Sequence, residues 1–323
     1  RTAITLSCIT KKPIHIENIR KNRKVSGLRP QHLTAIKILQ KIVNAEVIGA
    51  KIGSTELKFI PNNIESLQLV EDVGTAGSIS LILQVLIPVI AASQKKLDLK
   101  IKGGTDVLWS PSFDYTQHVL REGFSRMGIE FSLELCKRGY YPKGGGEIDL
   151  HVKSSKIRSI ILTKKKTKTI KIICTFSKLL KEDIENEVEK IKEKLIEKDF
   201  IVNTEIKNQD AIDSGASLLI FSIDENSING IDGLYDKKMK KFSVDLNKFY
   251  KNSLGVDENL VDMLVPVASL GPEKTIFHIK SISKHLETNL FVTSKITGCK
   301  YGIGKINDGF EVIIEGVSYS SIK

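Results

Sequence analysis

The feature that most constrains this chain is a run of three glycines inside the segment 138–147, Arg-Gly-Tyr-Tyr-Pro-Lys-Gly-Gly-Gly-Glu. Consecutive glycines are entropically costly to order, so they suit a backbone that takes positive φ or lies close against another group. Apolar residues alternate on both sides of the segment, as Phe131, Leu133 and Leu135 and then as Ile148, Leu150 and Val152. This pattern predicts two strands joined by the glycines. A long hairpin turn and a surface for a ligand both remain open.

Composition narrows the class of protein. A chain of 323 residues with 41% hydrophobic content is long for one core, which favours two. The net charge of +11 favours polyanionic partners, nucleic acid first. Four scattered cysteines without metal-ligand spacing indicate a reducing compartment, which we expect to be the cytoplasm. The longest apolar stretch, 79–92, is too short to span a bilayer, and the chain opens with Arg1, which suggests that its native N-terminus lies upstream.

Three segments each predict a helix that ends at Asn or Gly and leads into a β-hairpin. They begin at Gln31, at Asp114 (which we predict to be an N-cap) and at Glu287. A further helix precedes the later two, over 78–92 and 259–270. The second and third starts are 173 positions apart and the first and second only 83, so the excess of 90 predicts an insertion. The alternative is that such segments recur by chance in α+β chains.

The predicted insertion covers residues 165–253 and would form a small α/β domain between core segments 1–164 and 254–323. It begins near a lysine-rich run, 164–168, and a β-rich stretch, 170–176. A helix with one apolar face and a second strand over 217–223 follow; the apolar positions of the helix are Ile184, Val188, Ile191 and Leu195. The lysine run is most simply a solvated loop, with RNA contact as the alternative.

Further motifs extend along most of the chain, at 16–23, 27–33, 53–57, 74–78, 103–106 and 283–289. Together with the Arg-Gly-x-x-Pro-x-Gly-Gly-Gly-Glu segment, they make the chain resemble the RNA 3′-terminal phosphate cyclase family. Only the 165–253 region lacks recognisable motifs. The resemblance implies an α/β (α+β) core of three repeated two-helix, four-strand units, similar to the C-terminal domain of a translation initiation factor. It also implies that the inserted α/β domain is thioredoxin-like.

The resemblance implies an enzyme as well. Family members are ligases that use ATP, with Mg²⁺ or Mn²⁺, to convert an RNA 3′-terminal phosphate into a 2′,3′-cyclic phosphodiester. A phosphate monoester is a poor electrophile, so adenylation supplies AMP as a leaving group before the neighbouring 2′-hydroxyl attacks. The AMP passes through a covalent histidine adduct, and the resemblance places that nucleophile at His285.

The same resemblance implies the binding residues. ATP would be bound by Gln84, Pro111, Asn259, Leu260, Val261, Asp262 and Met263. The RNA end would be bound by Arg1, Arg20, Arg23, Arg29, Gln31 and His32, since clustered guanidiniums grip a terminal phosphate well. Met263 departs from the family, which usually carries Gln there. The family Glu that binds metal would precede Arg1, so the metal ligand is unknown.

Several alternatives remain at this stage. Cyclase-like relatives that assist ribosome assembly bind RNA and protein without catalysis, but they lose the nucleophilic histidine, which this chain keeps as His285. An enolpyruvyl transferase shares repeated α/β units but offers no reason for the glycine segment. Within the site, residues 74–78 predict either phosphate-binding N–H groups at a helix start or an ordinary tight turn.

Overall fold

The computed structural model describes residues 1–318. The helices are α1 (Thr2–Thr10), α2 (Pro30–Ile42), α3 (Ile79–Ala91), α4 (Phe113–Tyr115), α5 (Arg121–Arg126), α6 (Lys181–Ile196), α7 (Leu246–Tyr250), α8 (Glu258–Ala268) and α9 (Lys284–Thr297), and a π-helical segment, Thr116–Leu120, joins α4 to α5. The strands are β1 (Ile14–Ile16), β2 (Glu46–Ile48), β3 (Leu57–Ile60), β4 (Leu67–Asp72), β5 (Lys96–Gly103), β6 (Phe131–Lys137), β7 (Gly146–Lys153), β8 (Ile161–Leu162), β9 (Thr169–Ser177), β10 (Ile201–Asn208), β11 (Gly215–Asp224), β12 (Ser227–Asp236), β13 (Lys241–Phe242), β14 (Lys274–Ile279), β15 (Lys300–Ile306) and β16 (Gly309–Glu315). This mixture of sheets and helices agrees with the predicted α+β class.

Two four-stranded sheets have the same connectivity. In the order β4-β5-β7-β6, the first two strands are parallel and the last two are an antiparallel hairpin. The sheet β8-β14-β16-β15 repeats this order and these directions. A three-stranded sheet, β1-β3-β2, has the same antiparallel arrangement as the last three strands of each. In all three sheets a helix leads into the hairpin.

The helix ends in these sheets follow from local chemistry. Asn44, Gly128 and Gly298 take positive φ after their helices, as the predicted stops require. Two predicted starts are wrong. Ser112, and not Asp114, caps the helical stretch that begins at α4, because its hydroxyl accepts the Tyr115 N–H at 3.1 Å. Helix α9 begins at Lys284 under a Ser283 cap, three residues before the predicted start at Glu287.

Residues 165–253 form a separate sheet with its own apolar cluster. The strand order is β10-β9-β11-β12-β13, and α6 connects the parallel pair β9 and β10. The predicted apolar face of α6 is buried in that cluster. The lysine run is not uniformly solvated, because the Lys165 ammonium lies 4.8 Å from the Phe200 ring centroid and 4.5 Å from that of Phe249. Burial lowers the pKa of Lys165 to about 8.

The glycine segment connects β6 to β7, as the alternating pattern predicts. Gly144 has a φ of +72°, and a Cβ there would lie 2.8 Å from the Ala76 Cα. A Cβ on Gly146 would lie 2.6 Å from the Thr105 side chain. Close approach of other segments of this protein therefore explains these two glycines. Within residues 1–318 no helix has the length and apolarity that a membrane span needs.

Candidate functional site

A cleft of about 640 Å³ opens between α1, α3, α8, α9, the loop 107–112 and strand β12. Its size is that of a small-molecule site. Seven of the residues predicted for ATP, RNA or catalysis lie on its walls, namely Arg1, Gln84, Pro111, Asn259, Asp262, Met263 and His285. They come from both ends and the middle of the chain. Leu260 and Val261, by contrast, do not line the cleft, because their side chains point from α8 into the hydrophobic core.

His285 lies in the first turn of α9, exposed at the cleft wall. The Ser283 hydroxyl accepts the Leu286 N–H at 2.9 Å and contacts the two Asp262 carboxylate oxygens at 3.1 and 3.2 Å. This serine therefore joins the start of α9 to α8. The first N–H groups of a helix and its dipole favour an anion. The His285 imidazole therefore lies near a helix end that favours an anion.

Gln84 lies on α3 and lines the cleft, and the N–H groups of its side-chain amide donate no hydrogen bond within the described residues. Its Nε2 atom is buried and has no hydrogen-bond partner among the described residues. A buried polar group without a partner is destabilising, and most such groups in folded proteins are paired. An acceptor oxygen of a bound molecule would satisfy this amide. Its role toward a nucleotide, which the resemblance implies, stays a prediction.

Asp262 lies between helices that meet at the cleft. Asn289 donates its side-chain N–H to the Asp262 carbonyl oxygen at 3.0 Å, and Thr2 contacts Asn289 at 2.8 Å. Burial raises the pKa of the Asp262 carboxyl to about 7, although the Ser283 hydrogen bond opposes the shift. The positive charge of Arg1 also lowers the pKa of Asp262, and burial lowers the pKa of Arg1 itself. The carboxyl and the guanidinium are therefore close enough to interact.

The other predicted arginines form one basic cluster beside the cleft. Burial lowers the pKa of His32 to about 4, and the positive charges of Arg1, Arg20 and Arg29 lower it further. Burial is also the largest cause that lowers the pKa of Arg20, and the positive charges of Arg29 and Arg23 lower it further. These shifts show that the five side chains share one electrostatic environment. His32 is therefore neutral near pH 7.

Three members of this predicted set also make contacts within the protein. Arg20 Nη1 donates to the carbonyl oxygens of Val25 and Gly27 at 2.8 and 3.2 Å, which closes the basic loop on itself. His32 Nδ1 accepts the Arg29 N–H at 3.1 Å and so caps α2. Gln31 accepts the Ser78 N–H at 3.0 Å.

The Gln31 side chain occupies one of the backbone N–H donors of the 74–78 segment, that of Ser78. The Gly74 and Gly77 N–H groups are likewise bound internally, to Asp72 and Thr75. Three of the N–H donors in this segment are therefore already used within the protein, which favours the tight turn that caps α3.

The structure adds residues to the cleft that carried no signal in the sequence. Asp232, Gly233, Leu234 and Ser243 reach the cleft wall from the 165–253 sheet. Trp109, the single tryptophan, lines the cleft with 94% of its surface exposed and a φ of +63°. No motif surrounds Asp232 in the sequence. Only the packing of the 165–253 sheet against the loop 107–112 brings Asp232 to the cleft.

A divalent metal ion would be held in this cleft by the phosphates of a bound molecule and not by a cluster of protein side chains. The one group of His, Cys, Asp or Glu in residues 1–318 with three closely spaced ligand atoms is His15, Glu17 and Glu56, which is exposed and lies outside the cleft lining. Mg²⁺ commonly binds through one or two carboxylates, water and substrate phosphates. We therefore assign no metal ligand within the described cleft.

The fold and the cleft define a class of protein. An α+β chain with an exposed imidazole at a helix start, an unpaired amide and a neighbouring arginine cluster has the groups that phosphate transfer requires. Comparison with known proteins gives the family. The family model for RNA 3′-terminal phosphate cyclase matches residues 1–303, and the chain belongs to this family.

Individual relatives agree over nearly the whole length. The chain is 36% identical over 317 residues to RNA 3′-terminal phosphate cyclase from Methanosarcina barkeri, covering 97% of this chain and 95% of the relative. It is 34% identical over 307 residues to the protein of that name from Pyrococcus abyssi, covering 92% and 89%. The enolpyruvyl transferase NikO from Streptomyces tendae superposes at a TM-score of 0.41 with 8% identity, over 99% of this chain and 46% of that one, which is too distant to support any conclusion.

Proposed function

We propose that this protein converts an RNA 3′-terminal phosphate into a 2′,3′-cyclic phosphodiester in three steps that begin with adenylation of His285. The observation that carries the proposal is one cleft that holds His285, the unpaired Gln84 amide and Arg1. A ribosome-assembly role without catalysis would need none of these groups together. The enzyme is therefore favoured over the binding protein.

In the first step a ring nitrogen of the His285 side chain attacks the α-phosphorus of ATP. A nitrogen–phosphorus bond forms, the bond to the bridging α–β oxygen breaks, and pyrophosphate leaves. Arg1 and the N–H groups at the start of α9 would stabilise the negative charge. Gln84 would donate its amide N–H to an oxygen of the bound nucleotide. Mg²⁺ or Mn²⁺, carried on the ATP phosphates, would add charge neutralisation.

In the second step an oxygen of the RNA 3′-phosphate attacks the phosphorus of the adduct and releases the imidazole. The basic cluster of Arg1, Arg20, Arg23, Arg29 and His32 would hold this RNA end. In the third step the 2′-hydroxyl attacks the activated 3′-phosphorus, loses its proton to water, and displaces AMP. The cyclic phosphodiester results, and the protein returns to its starting state.

The architecture belongs to the same proposal. We infer that the core predicted over 1–164 and 254–323, of which the structure describes residues up to 318, contains three related units. The sheets that contain β4 and β8 share four-stranded connectivity, whereas the sheet that contains β1 has three strands, not the predicted four, and matches their last three. The parallel β9–α6–β10 crossover followed by antiparallel β11 and β12 supports a thioredoxin-like inserted domain over 165–253. We propose that the protein works in the cytoplasm.

The test is covalent labelling with α-³²P-ATP and Mg²⁺ or Mn²⁺, followed by RNA that carries a 3′-phosphate. The wild-type protein should form an acid-labile adduct and then yield cyclic ends. His285→Ala should fold and bind ATP but form no adduct. His151→Ala is the matched control, because His151 is exposed on β7 and pairs with Asp98 away from the cleft. An adduct in His285→Ala would refute the nucleophile and make His32 the next candidate.

A further inference from the structure

The inserted sheet places one carboxylate, Asp232, on the wall of the cleft. Asp232 lies on β12, paired with Leu219 of β11, and is partly exposed. Its Oδ2 atom accepts the Ser112 N–H at 2.6 Å. Ser112 in turn caps α4 with its hydroxyl. The carboxylate is therefore held against the loop 107–112, and a carboxylate has about four acceptor positions, of which Ser112 uses only part.

The cleft wall carries charged groups of both signs. Arg1 lines it together with His285, and Arg1 also belongs to the basic cluster. Asp262 lies close to His285, because its carboxylate oxygens contact the hydroxyl of Ser283, two residues before His285, at 3.1 and 3.2 Å. Asp232 reaches the wall from β12, beside the loop 107–112 that it contacts through the Ser112 N–H.

The positions of His285 and Arg1 orient a bound nucleotide. A triphosphate is repelled by carboxylates and attracted by guanidiniums, and its α-phosphorus must reach His285 if the proposed function holds. The phosphates therefore occupy the Arg1 and His285 end. The base then extends toward Asp232 and the loop 107–112, where Pro111 and Trp109 offer flat apolar surface.

We propose that Asp232, supplied by the inserted domain, selects the nucleotide base by accepting a hydrogen bond from the 6-amino group of adenine. A fixed carboxylate is an acceptor only, so it favours a base edge that presents an N–H donor over one that does not. Burial raises the pKa of Asp232 to about 6, so the group is ionised at the pH 8 used below. The inserted domain would thus form part of the active site.

The test compares ATP with purine riboside 5′-triphosphate, which lacks only the 6-amino group. At pH 8, kcat/KM for adduct formation should favour ATP by about 10- to 100-fold in the wild-type protein. Asp232→Asn keeps an oxygen for the Ser112 N–H and turns its NH₂ toward the base, where it can donate to N1 of either purine. The preference for ATP should therefore fall below about threefold.

Ser243→Ala is the matched control, since Ser243 lines the same wall but donates its hydroxyl to the Leu234 carbonyl oxygen at 3.0 Å. It should keep the wild-type preference. Equal use of both nucleotides by the wild-type protein, or an unchanged preference in Asp232→Asn, would overturn the proposal. If Asp232→Asn does not fold, N6,N6-dimethyl-ATP replaces it as the probe on the wild-type protein and should be used as poorly as purine riboside triphosphate.

Failure of the proposed function has a different signature. A protein that forms no adduct with any nucleotide would refute histidine adenylation. The base preference is then measured by equilibrium binding of ATP and purine riboside triphosphate to the same three proteins. A preference for ATP that disappears in Asp232→Asn would still support base selection, and equal or absent binding would refute it.

Discussion

Replacing Arg138 with Met tests what the first residue of the glycine segment does. The Arg138 side chain is 1% exposed and lies between two carboxylates. Its Nη1 atom contacts the Asp106 oxygens at 3.0 and 3.1 Å, and Nη2 contacts those of Asp114 at 2.8 and 2.9 Å. Burial alone would lower the pKa of Arg138, but Asp106 and Asp114 raise it above its ordinary value. The guanidinium is thus the counter-charge for both acids.

Arg138 also connects the loop 107–112, through Asp106, to the 165–253 region, through Gln209. Asp106 accepts the Phe113 N–H at 3.3 Å, so it bridges the two ends of the loop 107–112 that lines the cleft. Arg138 Nε donates to Gln209 at 2.8 Å, across to the 165–253 region. Removing the guanidinium therefore leaves the carboxylates of Asp106 and Asp114 without a counter-charge and breaks the contacts of Arg138 with Asp106 and Gln209.

The expected cost of Arg138→Met is about 3–5 kcal/mol in the free energy of unfolding, because breaking a buried ion pair leaves uncompensated charge. Urea unfolding followed by circular dichroism measures it. Lys137→Met is the control, since Lys137 is partly exposed and its ammonium lies 3.8 Å from the Asp210 carboxylate, and it should change stability by less than about 0.5 kcal/mol.

Charge and packing can be separated by pH. Unpaired buried acids take up protons more readily in the folded protein than in the unfolded chain, so the loss in Arg138→Met should be smaller at pH 5 than at pH 8. Adding Asp106→Asn and Asp114→Asn to Arg138→Met should recover at least half of the lost stability. A loss below about 1 kcal/mol, or one that does not change with pH, would refute the reasoning.

Three further predictions concern the cleft and its rim. Asp262→Asn should stabilise the protein at pH 8 and have little effect at pH 4, because the folded-state pKa of about 7 exceeds the ordinary aspartate value of 3.8 and wild-type stability falls as pH rises between these values. Urea unfolding at both pH values measures the effect, and a stabilisation confined to pH 4 would contradict the prediction. Arg23→Ala should leave self-adenylation within about twofold but slow AMP transfer to RNA about tenfold, whereas equal loss in both assays would assign Arg23 to ATP or folding. Met263→Gln should lower KM for ATP about two- to tenfold if a polar contact to the nucleotide is missing, and an unchanged or raised KM would count against that contact.

The sequence alone determined the local structure and the family. Alternation at 131–135 and 148–152 predicts β6 and β7, and Asn44, Gly128 and Gly298 end their helices as predicted. Strand faces and helix ends depend on neighbouring residues, so their signals are local. The motifs added the family, because the chain keeps them in order along nearly its whole length, and the residues of a site stay a prediction from that resemblance.

The tertiary structure alone decided which distant groups meet. Asp114 has the residue type of an N-cap, yet it pairs with Arg138, 24 positions away, and Ser112 takes the cap. Lys165 belongs to a run typical of solvent, yet two phenylalanine rings enclose it. No sequence motif surrounds Asp232, and it reaches the cleft only because the 165–253 sheet packs against the loop 107–112. Burial and choice of partner depend on how separate segments pack together, and no local pattern contains that information.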